Sequence, residues 1–399
     1  MTTSELRTSP EPLSIYLHLP FCRQRCSYCD FNIYTTLFHL QEDYSAALVR
    51  EIALVGGDLH RTVHSVYFGG GTPSLTPLPQ VAALMAALRQ HFALTADCEI
   101  TFEVNPGGVT TDYLAGLAGL GINRVSVGMQ SARADELTLF NRDHQFADVV
   151  ATLAALRHVG FANISLDLIY GLPGQTLAAW QETLTAALAL HPEHLSIYAL
   201  SLAFGTPLSA QVAHGNLPTP DDDLAADMYA WAASTLAEAG FRHYELSNWA
   251  RIAASRDLRS RHNLQYWRYG AWLGLGAGAH GHVPGLRYSN VRGPTHFIRR
   301  VTTDAVRAFP LSPAVVQVTR LSEREQMGEF LMMGLRLIED GVERATFAHR
   351  YGVDLLDVFA EPLTRLSAAG LLAWDENATR LRLTPRGWLL SNQVFRELI

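Results

Sequence analysis

The sequence predicts an α/β protein: a partial parallel (βα)6 barrel followed by a small helical, winged-helix-like C-terminal domain. Short β-branched or aromatic runs alternate with longer helical stretches through the first half, as in the repeated βα units that build a parallel sheet. The residues suited to chemistry fall at the C-terminal ends of those runs, the face on which such barrels carry their sites. Beyond Phe309-Pro310-Leu311-Ser312-Pro313, which reads as a linker, three helical stretches precede a hairpin.

Taken in order, strands are expected at 14–19, 65–68, 99–104, 124–127, 163–168 and 194–200. Helices are expected between them at 44–55, 81–91, 111–120, 147–158 and 180–190. The first strand runs into a cysteine-bearing loop and the second into Gly69-Gly70-Gly71-Thr72-Pro73. The other four end at Glu103, Gln130, Asp167 and Ser201. An arginine-rich stretch, 251–268, then leads to Gly274-Leu275-Gly276-Ala277-Gly278-Ala279-His280-Gly281, too glycine-rich for a regular element. Helices at 323–337, 344–350 and 355–369 and a hairpin of 371–375 with 380–384 complete the chain. The expected domains are 1–204, 205–308 and 309–399.

With 399 residues, the chain is long enough for one large core and smaller units. Hydrophobic residues make up 48%, without an apolar span of membrane-helix length. Met1 to Pro10 is polar and lacks the apolar stretch of a secretory signal, so a reducing cytoplasm is expected. There, four cysteines of which three are clustered read as metal ligands rather than disulfides. A net charge of −7 argues against binding dominated by nonspecific phosphate contacts. All 31 basic residues are arginine, which excludes a lysine Schiff base and a phosphate-binding lysine.

Cys22, Cys26 and Cys29 lie at steps of four and three, so a tight loop can aim all three at one metal centre. Structural zinc and ordinary iron–sulfur sites take four protein ligands; three thiolates suggest an iron left open to a non-protein ligand. Zinc is the alternative, with His39 the one nearby candidate for a fourth ligand. Cys98 reads as a small buried side chain. The glycine run lacks the Lys-Ser/Thr of a P-loop and permits close backbone approach to a ligand.

Cys-x-x-x-Cys-x-x-Cys with Tyr28 before the last cysteine resembles the cluster loop of the radical S-adenosylmethionine (SAM) superfamily. The resemblance implies a [4Fe–4S] cluster on the three thiolates, with SAM chelating the fourth iron through its amino and carboxylate groups. Reductive cleavage to a 5′-deoxyadenosyl radical is the associated chemistry. Longer matches, at Tyr16–Cys22, Glu103–Pro106, Ser126–Ser131, Asn141-Arg142 and Asp167–Gly174, resemble the oxygen-independent coproporphyrinogen III oxidase-like family over nearly the whole chain. They imply SAM-site roles for Tyr16, Tyr28, Gly70, Gly71, Thr72, Glu103, Gln130, Arg142, Asp167 and Ser201. Glu103 and Asp167 can accept from ribose hydroxyls or the ammonium, and Arg142 can pair with a carboxylate.

Decarboxylating members carry a fourth cysteine two residues after the third, whereas this chain has Asp30-Phe31. The cluster loop also begins at residue 22, leaving little room for their longer N-terminal segment. Both departures resemble the HemW-type, heme-chaperone branch, as does His-Asn-x-x-Tyr-Trp at His262–Trp267. This implies heme as a further ligand, with His262 a candidate axial ligand and Arg256, Arg259 and Arg261 candidates for its propionates. His280 and His282 are further candidates; Trp231, Trp272 and Trp388 are assigned to packing. The expected function is therefore binding heme and passing it to an acceptor protein, with an electron donor such as flavodoxin serving the cluster. Oxidative decarboxylation of coproporphyrinogen III is the alternative. Nucleic acid is not expected, since Arg380, Arg382 and Arg386 are too few for a basic stripe.

Overall fold

The computed structural model describes residues 11–57, 61–254, 256–305 and 307–399. The polar start on which the expectation about a secretory signal rests lies outside them. Strands β1 (Leu13–Leu19), β2 (Thr62–Gly70), β3 (Ala93–Val104), β4 (Arg124–Gln130), β5 (Ile164–Tyr170) and β6 (His194–Ala199) run parallel and pair in chain order. Helices Gln41–Gly56, Leu78–His91, Thr111–Gly119, Phe146–Val159 and Leu177–Ala189 alternate with them, as expected to within a few residues.

Side-chain alternation explains this half of the fold. Leu13, Ile15, Leu17 and Leu19 of β1, with Val66 and Phe68 of β2 and Val125, Val127 and Met129 of β4, enter one core with the helices. The opposite parity is polar and bonds to itself across strands: Ser14 Oγ lies 2.6 Å from Ser65 Oγ, and Ser126 Oγ donates to Asp167 Oδ1 at 3.0 Å. One face of the sheet therefore packs while the other forms a hydrogen-bonded interior. Helix starts are specified locally, as where Thr110 and Thr176 accept from the backbone N–H three residues on.

The region after residue 205 extends the same sheet. It supplies β7 (Phe241–Glu245), β8 (Asn248–Arg251), β9 (Trp272–Leu275), β10 (His280–Val283), β11 (Leu286–Asn290) and β12 (Val315–Arg320). The order is β12-β11-β10-β9-β1-β2-β3-β4-β5-β6-β8-β7, with β9 parallel to β1. The glycine-rich run expected as a loop is thus β9, a turn and β10. A Cβ at Gly274 would stand 2.0 Å from the His280 carbonyl oxygen, and one at Gly281 2.1 Å from the Tyr288 ring. These glycines permit close backbone packing.

The linker reading of Phe309–Pro313 is also corrected. Phe309 and Ser312 are buried, Ser312 Oγ donates to buried Glu51 at 2.5 Å, and β12 follows as an edge strand of the main sheet. The second core is built on the helix Glu323–Gly334 and also takes in Leu246 and Tyr269. Helices Arg344–Tyr351 and Leu355–Ala368 and strands β13 (Val342–Glu343), β14 (Leu372–Trp374) and β15 (Arg380–Leu383), paired β13-β15-β14, give it the expected winged-helix-like form. Ion pairs join it to β11 of the main sheet, Arg287–Glu329 at 2.5 Å, and to the end of the helix Arg261–Trp267, Arg268–Asp340 at 3.4 Å. No described helix is long and apolar enough to cross a membrane.

Candidate cofactor site

The cysteine loop leaves β1 and is held on both flanks. On one, Cys22 N–H donates to Tyr34 O at 3.1 Å, while Gly71 and Thr72 N–H donate to Leu19 O and Phe21 O at 2.8 and 2.9 Å. On the other, Ser27 N–H and Oγ donate to Phe140 O and Leu139 O at 3.0 and 2.6 Å. The Arg25 guanidinium folds back on the loop, donating to Cys29 O at 3.2 Å and Ile33 O at 3.1 Å. The result is a braced loop whose three sulfurs open on one cleft of about 210 Å³.

Tyr28, Gly70, Gly71, Thr72, Glu103, Gln130, Arg142 and Asp167 line that cleft with Cys22, Cys26 and Cys29. Its walls therefore come from distant strand ends and the loops that follow them, meeting at one mouth because the strands are parallel and in order. Tyr16 lies one layer deeper, stacked on Tyr67 at 6.1 Å. Ser201 is exposed and does not line the cleft, nor does the exposed His39.

Burial pushes the Cys22 thiol up to about 11, against the Thr72 hydroxyl that donates to its sulfur at 3.3 Å, and burial raises Cys29 as well. Such thiols become thiolates when a cation takes the place of the proton. Among the described residues no three His, Cys, Asp or Glu side chains converge on a single ion. Cys22, Cys26 and Cys29 share one cleft wall, a donor set suited to a thiolate-ligated metal centre.

Opposite them, Arg142 donates to Cys26 Sγ at 3.4 Å and Gly128 O at 3.0 Å and bonds Asn105. Glu103 accepts from Tyr67 OH at 2.8 Å and Gly70 N–H at 3.2 Å, and burial pushes its carboxyl up to about 7. Burial likewise raises Asp167, which accepts from Ser126. Two buried acids facing one cleft favour a ligand that brings a cation or hydroxyl donors. Gln130 reaches the cleft from a left-handed backbone, φ 65°, after a register shift in β4. A non-glycine residue in that conformation costs on the order of 1 kcal/mol, and here it turns the side chain into the cleft.

Asn105 and Gly128 belong to the cleft although the sequence did not single them out. A Cβ at Gly128 would stand 2.9 Å from Gln130 Nε2 and 3.3 Å from Arg142 Nη2, so both side chains need a bare strand there. Inward parity along β4, Arg124-Ser126-Gly128-Gln130, is the signal that points to it.

His262 does not reach the cleft. It is 1% exposed, its Nδ1 lies 3.0 Å from Ser65 Oγ and its Nε2 2.8 Å from Tyr266 OH, and its N–H donates to Glu99 at 3.2 Å. Ser65 is in register with Ser14 at the start of β1 and with Glu99 of β3, so the helix Arg261–Trp267 closes the end of the barrel opposite the cysteines, which follow the end of β1. Burial holds the ring neutral, pushing its pKa down to about 3. No axial-ligand position is open on it. The flanking arginines are engaged too: Arg259 with Asp257 at 2.7 Å, Arg261 with Asp97 at 2.8 Å, and Arg256 with Ala162 O. His282 is fully buried between Tyr269 and Trp272, and His280 is exposed at the start of β10. Cys98 is buried, as expected.

Fold and cleft together define a radical SAM protein: that superfamily's profile matches residues 16–187, and the profile of the HemN C-terminal domain matches 321–390. Coproporphyrinogen III oxidase (HemN) from Escherichia coli, described as a radical SAM enzyme, superposes with a TM-score of 0.84 at 25% identity, over 99% of this chain and 92% of its own. Heme chaperone HemW of Mycobacterium tuberculosis is 37% identical over 98% of this chain and 95% of its own length. HemW of Bacillus subtilis is 35% identical over 96% and 98%. The mouse mitochondrial radical S-adenosyl methionine domain-containing protein 1 is 38% identical over 93% and 85%. The chain belongs to the HemW family.

Proposed function

We propose that the protein binds heme and passes it to an acceptor protein, using a radical SAM barrel that carries a [4Fe–4S] cluster and SAM. Cys22, Cys26 and Cys29 would hold the cluster through their thiolates. Glu103 and Asp167 receive the ammonium and hydroxyl donors of SAM, Arg142 pairs with its carboxylate, and Gly70, Gly71 and Thr72 present backbone to it. Tyr16 supports Tyr67 beneath Glu103, and Gln130 bounds the cleft beside Arg142. Cluster and SAM, when bound, supply one-electron chemistry at the sulfonium. The partners are an electron donor such as flavodoxin and a heme-accepting protein, and the setting is the cytoplasm.

Phe31 carries this reading. The decarboxylating members have a fourth cysteine at that position, and the relatives named heme chaperone match this chain over nearly their whole length. A second reading, oxidative decarboxylation of coproporphyrinogen III, draws support from the E. coli oxidase superposing over 99% of the chain. Anaerobic reconstitution of the full chain followed by heme titration tests the first: a Soret band saturating at a defined stoichiometry supports it, and no heme binding rejects it. Protoporphyrinogen formation by the same preparation would favour the second.

A further inference from the structure

Large aromatic side chains left in water are a cue to ligand contact when they gather in one place. Among the described residues only Phe31, Tyr198 and Phe204 are exposed aromatics, at 64%, 43% and 104%. All three stand at the cysteine-bearing end of the barrel. Phe31 follows Cys29 by two residues and lines the cleft. Tyr198 is the last but one residue of β6, part of its side chain exposed while its hydroxyl end is buried on the side of Asp167 and Glu103. Phe204 lies in the loop after β6, and the helix that follows it, Pro207–Ala213, is tied to the cysteine loop by Leu208 N–H donating to Ser27 O at 2.8 Å.

Charge at the rim matches. Arg23, next to Cys22, is exposed on the cleft wall, and no carboxylate among the described residues pairs with it. The rim thus combines apolar rings with a free guanidinium, the pairing suited to a flat apolar ligand that carries carboxylates.

We infer that heme docks at the open mouth of the barrel, its ring against Phe31, Tyr198 and Phe204 and a propionate on Arg23, and that His262 takes no part. This rests on the heme-handling reading and names its site. A macrocycle held there lies beside the cluster cleft, whereas the His262 helix closes the far end. The residue that replaces the decarboxylases' fourth cysteine becomes part of the heme seat.

The test is hemin titration of the cluster-loaded full chain, followed by Soret absorbance, for wild type, Phe31→Ser with Phe204→Ser, Arg23→Gln, and Phe31→Tyr. The double variant is expected to bind hemin at least about tenfold more weakly, a ~1.4 kcal/mol step. Arg23→Gln should weaken binding several-fold, and Phe31→Tyr should retain it. Circular dichroism melting checks that these surface variants fold. Wild-type affinity in the folded double variant overturns the inference and leaves heme handling intact. Wild type that binds no hemin rejects the heme-handling reading itself, and this site with it.

Discussion

Replacing Glu103 by glutamine separates the charge of the cleft from its shape. The carboxyl is buried, bonded to Tyr67 and Gly70, and pushed up to about 7 by burial, with Asp167 adding to the rise and Arg124 opposing it. With that value roughly a tenth of the molecules are ionised at Glu103 at about pH 6 and roughly nine tenths at about pH 8. A ligand whose ammonium or hydroxyls seek the carboxylate therefore binds nearly tenfold more tightly at the higher pH. Glu103→Gln keeps the shape and loses the charge. A hydrogen bond to a charged group contributes about 1.5–3 kcal/mol, so SAM affinity at about pH 8 should fall roughly 10- to 150-fold and lose its pH dependence. Anaerobic calorimetric titration of SAM into cluster-loaded wild type and variant measures both effects. A flat wild-type pH profile, or wild-type affinity in the glutamine variant at the higher pH, refutes the assignment.

Glu51, buried among Gly276, Asn290 and Ser312, also has its carboxyl pushed up to about 7 by burial. The folded protein holds that proton more tightly than the unfolded chain, so its stabilisation is complete below about pH 4.5 and is lost as pH rises through about 7, on the order of 3 kcal/mol. Thermal midpoints measured from about pH 5 to 8 should fall, and Glu51→Gln should flatten the slope; an unchanged slope in the variant contradicts this. Gly276, at φ 97°, would place a Cβ 2.6 Å from the His18 carbonyl oxygen and 2.7 Å from Tyr44 OH. Gly276→Ala should destabilise by about 2 kcal/mol or more in urea unfolding, and a neutral result would mean that the β9 turn moves freely. His262→Ala strips partners from Ser65 and Tyr266 and should cost on the order of 3 kcal/mol of stability while the folded fraction keeps its heme affinity. Heme binding lost without a change in stability would assign His262 to the ligand after all.

The parallel strands were legible because each joins a two-residue alternation to a distinctive C-terminal residue. The edge strands were not. β7 to β12 are short, and their partners lie far away in sequence: β9 pairs with β1, some 250 residues earlier by the register of Trp272 with Ser14. Glycine at 274 and 281 admits a neighbouring backbone and ring, yet in sequence it is indistinguishable from loop glycine. The prolines around Leu311 suggested a linker because nothing local announces the bond from Ser312 to Glu51. In the cleft, motif residues with their own chemistry were found, whereas Gly128 matters for what it leaves empty. His262 is only a candidate ligand in the sequence, because its residue type suits iron and buried hydrogen bonding alike, and only the fold reveals which end of the barrel it occupies.

One preparation of anaerobically reconstituted protein, divided between hemin titration and incubation with coproporphyrinogen III, SAM and reductant, tests the central claim most directly. The account expects a saturable Soret band and no protoporphyrinogen, beside a working oxidase control. Protoporphyrinogen formed at the control's rate, with no saturable heme binding, would contradict it.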